Sequence, residues 1–443
     1  MVPFYFRSTH CLVGRIILVT LMETILLKSV RIIDPNGSHH NAVRDVLISG
    51  GQIAEVSQHI ESPSNGQVWE HEGSAISVSW IDGQADFCDP GYEPSEGLEN
   101  GLKAALNGGI GHVILNSGTS PCPDHKSAIH YVLKRSADSP CSAHPLGCIS
   151  QGREGNALAE LHDLAQNGAV GFSDDLPIER TEMLRRALEY SESIDLPVIT
   201  CPLDQGLSSA ALMHEGGTST RMGVSGNPSS SEVMRVQRDL EILRYAGGRL
   251  HFSILSTAEA VQLVRDAKKE GLQVTCGTTA HHLLFIDEDL SSFDGMLRVS
   301  PPFRSDADRR ALCKGILDGT IDLLVSDHRP QDLEHHDVEF ALSQPGMAGV
   351  ESLFAEGYTA LSAEFSSKEA LEAVIRSLTV GPREAFGWTA ASIEVGAPAD
   401  LTWFNNLQSW ESSKVSKGVN TIGTQQLSGK HLPSGMLQGQ PLG

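Results

Sequence analysis

Short apolar runs, separated by stretches whose apolar residues recur with helical spacing, set the rhythm of this 443-residue chain. The runs fall at 76–81, 112–116, 144–149, 169–173, 197–201, 249–254, 273–276 and 321–326. Helical segments are predicted between most of them, at 128–136, 156–166, 181–193, 232–245, 257–269 and 306–316. Several runs follow Gly-containing turns, such as Asn107-Gly108-Gly109, Asn167-Gly168 and Gly247-Gly248. Glycines there are expected of helix C-caps. Eight β runs alternating with helices predict an α/β fold, a (β/α)8 TIM-like barrel over 75–389.

The two ends follow a different pattern. Runs at 25–34, 45–49 and 52–56 alternate with turns, and Gly50-Gly51 marks a hairpin. The stretch 399–404 is again strand-like. Because chain termini often lie close together, 22–74 and 390–443 are expected to form one small composite β-sandwich domain. Residues 1–21 mix aromatics with Arg7, His10 and Arg15 around a short apolar run. They are expected to be an N-terminal extension without a fold, or to precede the true start at Met22, because a signal peptide needs a longer apolar core.

Composition narrows the function. Hydrophobic residues at 40% and charged residues at 20% suit a soluble protein with a substantial core. A net charge of -22 argues against nucleic acid and anionic membranes, and is compatible with docking on a basic partner. The 8 cysteines are scattered without a C-x-x-C pair, which argues against structural zinc or a disulfide framework. A cytoplasmic location is expected on that ground. No G-K-[ST] loop, G-x-G-x-x-G fingerprint or G-x-S-x-G elbow occurs.

On a barrel, chemistry sits where strands end. The strand-end residues are Gln84, Asp86, Asn116, Asp174, Cys201, Asp204, Ile254, Thr278 and Asp327. Asp86, Asp174 and Asp327, with Gln84, have the donors for an oxygen-rich cup holding a hard cation such as magnesium. The competing reading is three ordinary polar residues with structural partners. Asp327-His328 has the look of a catalytic pair, but without a metal-bound water or an anchored substrate it is read as a remnant with a structural hydrogen bond, and His281-His282 is read as packing.

Seven stretches carry a resemblance: W-I-D-G-Q-A-D-F-C-D-P-G (80–91), G-A-V-G-F-S-D-D (168–175), L-P-V-I-T-C-P-L-D (196–204), R-L-H-F-S-I-L-S-T (249–257), T-A-H-H-L-L (279–284), V-S-P-P-F-R (299–304) and D-G-T-I-D-L-L-V-S-D-H-R-P-Q (318–331). Together they resemble the dihydroorotase branch of the amidohydrolase superfamily. The resemblance implies a metal-bearing barrel in active members, whose first strand ends in H-x-H. Gln84 and Asp86 stand at those positions. Cys88 replaces the implied substrate-gripping Arg, and Gly118 falls near an implied Asn. Cys201 and Ile254 replace the implied metal-binding histidines of strands five and six. Gln331 stands for a substrate-contacting His and Ser300 for an Asn. Asp174, where some members carry a bridging carboxylate, and Asp327, the implied proton-shuttling base, are kept.

Zinc prefers three or four imidazole or thiolate donors, and Ile cannot coordinate. The implied zinc is therefore not expected here, nor are catalytic or substrate-binding residues. The pocket of Gln84, Asp86, Cys88, Asp174, Cys201, Ile254, Ser300, Asp327 and Gln331 is expected to be degenerate. The chain resembles the non-catalytic dihydroorotase-like subunits that assemble with aspartate transcarbamoylase. That implies a structural partner in pyrimidine biosynthesis within a hetero-oligomer. The alternatives are an active cyclic amidohydrolase with an Asp-rich site, and a non-catalytic sensor of pyrimidine ligands.

Overall fold

The computed structural model describes residues 24–336, 338–410, 415–418 and 427–432. The extension at 1–21 lies outside the described residues. A seven-stranded sheet gathers the two ends of the chain. Strands β1 (Ile25–Ile32), β2 (Val43–Ser49) and β3 (Gln52–Ser57) form an antiparallel meander. β4 (Gln67–Glu70) and β5 (Ala75–Val78) run parallel to β1. β15 (Leu401–Trp410) then pairs antiparallel with β5, with Trp403 opposite Ile76, and β16 (Leu427–Leu432) pairs with β15. Trp69 and Trp403 stack at 5.2 Å between ring centroids in this sheet's core.

The apolar run at 76–81 is not one strand. It divides at Ser79, with β5 in the terminal sheet and β6 (Trp80–Ala85) in the barrel. Hydrophobicity is continuous across the break because both halves are buried. The crossing is pinned by the Arg383 guanidinium, which donates from Nη1 and Nη2 to the Ser79 carbonyl at 3.2 Å each. Trp80 stacks on Phe354 at 4.6 Å on the outer, helix-facing side of the barrel wall.

The barrel runs β6, β7 (Ile110–Leu115) and β8 (Ser142–Pro145), all parallel. Its fourth position is no regular strand, although a run at 169–173 is predicted there. Only Phe172 bridges its neighbours, to Gly147 and to Val198. β9 (Val198–Thr200) follows; then, after a short excursion through β10 (Met213–His214) and β11 (Gly226–Asn227), come β12 (Leu250–Phe252), β13 (Val274–Thr279) and β14 (Leu323–Val325). A parallel bridge between Ala85 and His328 closes the ring.

Inward side chains on or just past the strands, Ile81, Ile114, Leu146, Ile199, Ile254, Leu323 and Val325, meet as an apolar plug. Gly83 makes room in it, since a Cβ there would lie 2.4 Å from a Leu323 methyl. Helices Lys126–Ser136, Thr181–Glu192, Ser230–Ala246, Ala258–Lys269 and Asp306–Asp318 lie near their expected positions. The one at Leu161–Gln166 is shorter than expected. Leu98–Asn107, Leu353–Glu364 and Ser367–Ala385 are helices that periodicity did not mark. All three contain glycines pressed against neighbours, Gly101 on Phe87, Gly357 on Leu324 and Gly381 on the Asp322 carbonyl. Among the described residues no helix is long and apolar enough to cross a membrane.

Candidate functional site

The mouth of the barrel, above the apolar plug, brings together part of the expected set. Gln84, the penultimate residue of β6, is buried and donates from Nε2 to Asp327 Oδ1 at 2.8 Å. Asp86 follows the strand, and its Oδ1 accepts from the Cys88 backbone N–H at 2.7 Å. That tight turn sets Cys88 at φ 59, in the left-handed region. Burial pushes the Cys88 thiol up, and the Asp86 carboxylate beside it adds to the shift. Burial also raises the carboxyls of Asp86 and Asp327, Asp175 adds to both, and the Arg329 charge opposes.

Arg329 fills the middle of this group. Its Nη2 and Nη1 donate to the two Asp175 oxygens at 2.6 and 3.0 Å, a bidentate fork, and its Nε donates to Asp327 Oδ1 at 3.0 Å. Neither Asp175 nor Arg329 belongs to the expected set. The signals were present as the Asp174-Asp175 doublet and the D-H-R-P run, but pattern alone does not say which aspartate faces inward.

Two expectations are corrected. Asp174 does not face the mouth. Its carboxylate accepts from the Ile149 and Ser150 backbone N–H groups at 2.8 and 3.0 Å, and from Ser150 Oγ at 2.6 Å. Two orphan N–H groups in the loop after β8 claim it, and Asp175, at φ 50, turns back into the site instead. The alternative of a cup of Asp86, Asp174 and Asp327 is therefore not met, and an internal guanidinium stands among the carboxylates that are there. Ser300 is exposed, and among the described residues it makes no hydrogen bond to the mouth carboxylates. His328 is fully buried in the wall, near Glu96 at 3.3 Å and edge-on to Phe87, so it forms no pair with Asp327 facing the mouth.

The remaining positions lie around this group. Cys201 is a free, partly buried cysteine whose thiol burial pushes up to about 12. Ile254 is buried in the apolar plug. Gln331 is partly buried, its Nε2 3.5 Å from where a Cβ on Gly346 would lie. His282 is held by Thr279 Oγ1 at 2.6 Å and the Pro301 carbonyl at 3.0 Å, a packing role.

The dihydro-orotase-like family pattern matches residues 76–260, which include β6 and the Gln84–Asp86 strand end. A dihydroorotase from Syntrophus aciditrophicus (strain SB) is 34% identical over 403 residues, covering 90% of this chain and 94% of its own. The chain belongs to the dihydroorotase-like family. Another dihydroorotase, from Anaeromyxobacter sp. (strain K), is 35% identical over 408 residues, covering 90% and 93%. Among solved structures, the L-hydantoinase (dihydropyrimidinase) from Arthrobacter aurescens superposes with a TM-score of 0.77 at 19% identity, over 92% of this chain and 94% of that one. The D-hydantoinase (dihydropyrimidinase) from Thermus sp. gives 0.75 at 19% identity, over 94% and 97%. These two likenesses establish the amidohydrolase barrel fold and no more.

Zinc, implied by the family, does not fit the side chains of this dihydroorotase-like chain. Ile254 offers no lone pair, the Gln84 amide is engaged, and a fixed positive charge stands among the aspartates. Among the described residues no three His, Cys, Asp or Glu side chains gather closely enough to hold a metal ion.

Proposed function

We propose that this chain is a non-catalytic dihydroorotase-like protein of pyrimidine biosynthesis, a cytoplasmic structural subunit that assembles with aspartate transcarbamoylase. One observation carries the reading: the four strand-end positions for metal-binding histidines hold Gln84, Asp86, Cys201 and Ile254, and the last is part of an apolar plug. Substrate capture is weakened as well, since a Cys88 thiol cannot replace a bidentate guanidinium. A chain that keeps its core while its site loses both functions works through its surface. Exposed Tyr190, Met234 and Tyr245 on the helices Thr181–Glu192 and Ser230–Ala246 offer side chains suited to such a surface. The partner is suggested by the resemblance to the subunits that assemble with aspartate transcarbamoylase.

Co-expression with the aspartate transcarbamoylase of the same cell, followed by size-exclusion chromatography, tests the assembly. The two chains are expected to co-elute, with the transferase losing activity or assembly when produced alone. Separate elution, together with a fully active lone transferase, contradicts the reading.

A second reading, a working dihydroorotase, is favoured by the names of the curated relatives at 34–35% identity and by retention of Asp327. Against it, Asp327 is already bonded to Gln84 and Arg329.

A further inference from the structure

We infer that Arg329 is a tethered cation: its guanidinium is the resident ion of a carboxylate cup formed by Asp86, Asp175 and Asp327, and the cup is shaped to a guanidinium, not to a bare metal ion. The inference rests on the reading that this barrel has given up its metal site.

The cup's members come from widely separated parts of the chain. Asp86 follows β6, Asp175 follows the Phe172 bridge, and Asp327 and Arg329 follow β14. Asp86 Oδ2 and Asp175 Oδ2 each lie 3.2 Å from where a Cβ on Gly118 would sit, so both carboxylates flank the same glycine. Carboxylates crowded into a partly dry mouth repel one another unless a positive charge stands among them. A guanidinium presents its donors in a planar fork spread over several ångströms. Here three of its nitrogens meet oxygens of two different aspartates at 2.6 to 3.0 Å. A metal ion would require the same oxygens to converge on one point at about 2.0–2.6 Å. Gln84 completes the arrangement, since its amide donates to the Asp327 oxygen that also receives Arg329 Nε. A neutral donor therefore stands where the family's first strand is implied to carry a ligand.

Two consequences follow. Arg329 ties the loop after the fourth barrel position to the loop after the eighth, and Gln84 ties the first strand to the same Asp327 carboxylate. The Arg329 side chain is also 29% exposed, so a free guanidinium ion has a route to the same place once the side chain is removed.

The test is chemical rescue in the full-length chain. Arg329→Ala is expected to melt roughly 5 °C or more below the parent protein. Millimolar guanidinium or methylguanidinium chloride should restore much of that loss in the variant and leave the parent protein unchanged. Equal concentrations of sodium chloride or magnesium chloride should not restore it. An unchanged melting temperature in the variant overturns the inference. So does a guanidinium effect no larger than that of sodium, or a magnesium effect as large as that of guanidinium. Should Arg329→Ala fail to fold, Arg329→Met is compared with Arg329→Met/Asp175→Asn in the same chain. The double variant should be the more stable, because it removes the stranded charge, and equal or lower stability overturns the inference. Metal analysis of the parent protein separates the two levels. Stoichiometric metal in it defeats the proposed function, whereas metal-free parent protein with an unrescued variant defeats the tethered cation alone.

Discussion

Glu232→Ala is expected to destabilise the protein by about 3–5 kcal/mol, among the largest effects of any single polar substitution here. Glu232 lies on the helix Ser230–Ala246 and is buried. Its two oxygens accept from the Ser256 backbone N–H at 3.0 and 3.1 Å, the Thr257 N–H at 2.9 Å and Thr257 Oγ1 at 2.8 Å, and also from Ser256 Oγ. The same Thr257 hydroxyl caps the next helix by accepting from Ala260 N at 3.3 Å. Alanine leaves two N–H groups and two hydroxyls without that acceptor in a buried corner, so the cost is desolvation as well as lost bonds. Urea denaturation of both proteins checks it. A loss below 1 kcal/mol would mean that water or a neighbouring side chain takes over the acceptor role.

Glu356→Gln is expected to act in the opposite direction, and only at higher pH. Glu356 is wholly buried within the helix Leu353–Glu364, and burial pushes its carboxyl up from the usual 4.5 to about 7, against the hydrogen bond from Ser352. The fold therefore accommodates the protonated acid. Its contribution is fully present below about pH 4.5, where both folded and unfolded chains are protonated. Stability falls as pH rises toward about 7, because the unfolded chain ionises while the folded one resists. The fall is on the order of 2–3 kcal/mol. Glutamine cannot ionise and lacks that slope. The difference in stability between variant and parent protein should move in the variant's favour by roughly 2 kcal/mol from pH 5 to pH 7.5. Parallel stability curves over that range would show that the buried carboxyl is not raised.

The fold was legible because barrel strands are short, apolar and separated by helices with recognisable stops, and because both ends carried the same two-residue β rhythm. It failed where one physical signal has two causes. The 76–81 run is buried throughout and gives no sign that the chain changes sheets at Ser79. The fourth barrel position pairs through a single bridged residue, too little to distinguish from a strand by composition. Helices containing packed glycines, such as Gly101 and Gly381, look weak in propensity because the packing that requires a missing side chain is invisible in sequence.

At the site, the replaced positions could be read directly: Gln84, Asp86, Cys88, Cys201 and Ile254 are single letters at strand ends. The direction in which a side chain points could not. Asp174 and Asp175 are chemically identical neighbours, and only the unpaired N–H groups of Ile149 and Ser150 decide which one turns outward. The Arg329 cation was missed for a similar reason. Its meaning depends on Asp175, 154 positions away in the chain.

The proposed loss of metal-dependent amide chemistry is tested most directly by turnover of dihydroorotate and of carbamoyl aspartate by the full-length chain, alone and mixed with aspartate transcarbamoylase, with zinc added. No interconversion above the protein-free rate is expected in either mixture. Zinc-dependent interconversion that disappears in Asp327→Asn would contradict it.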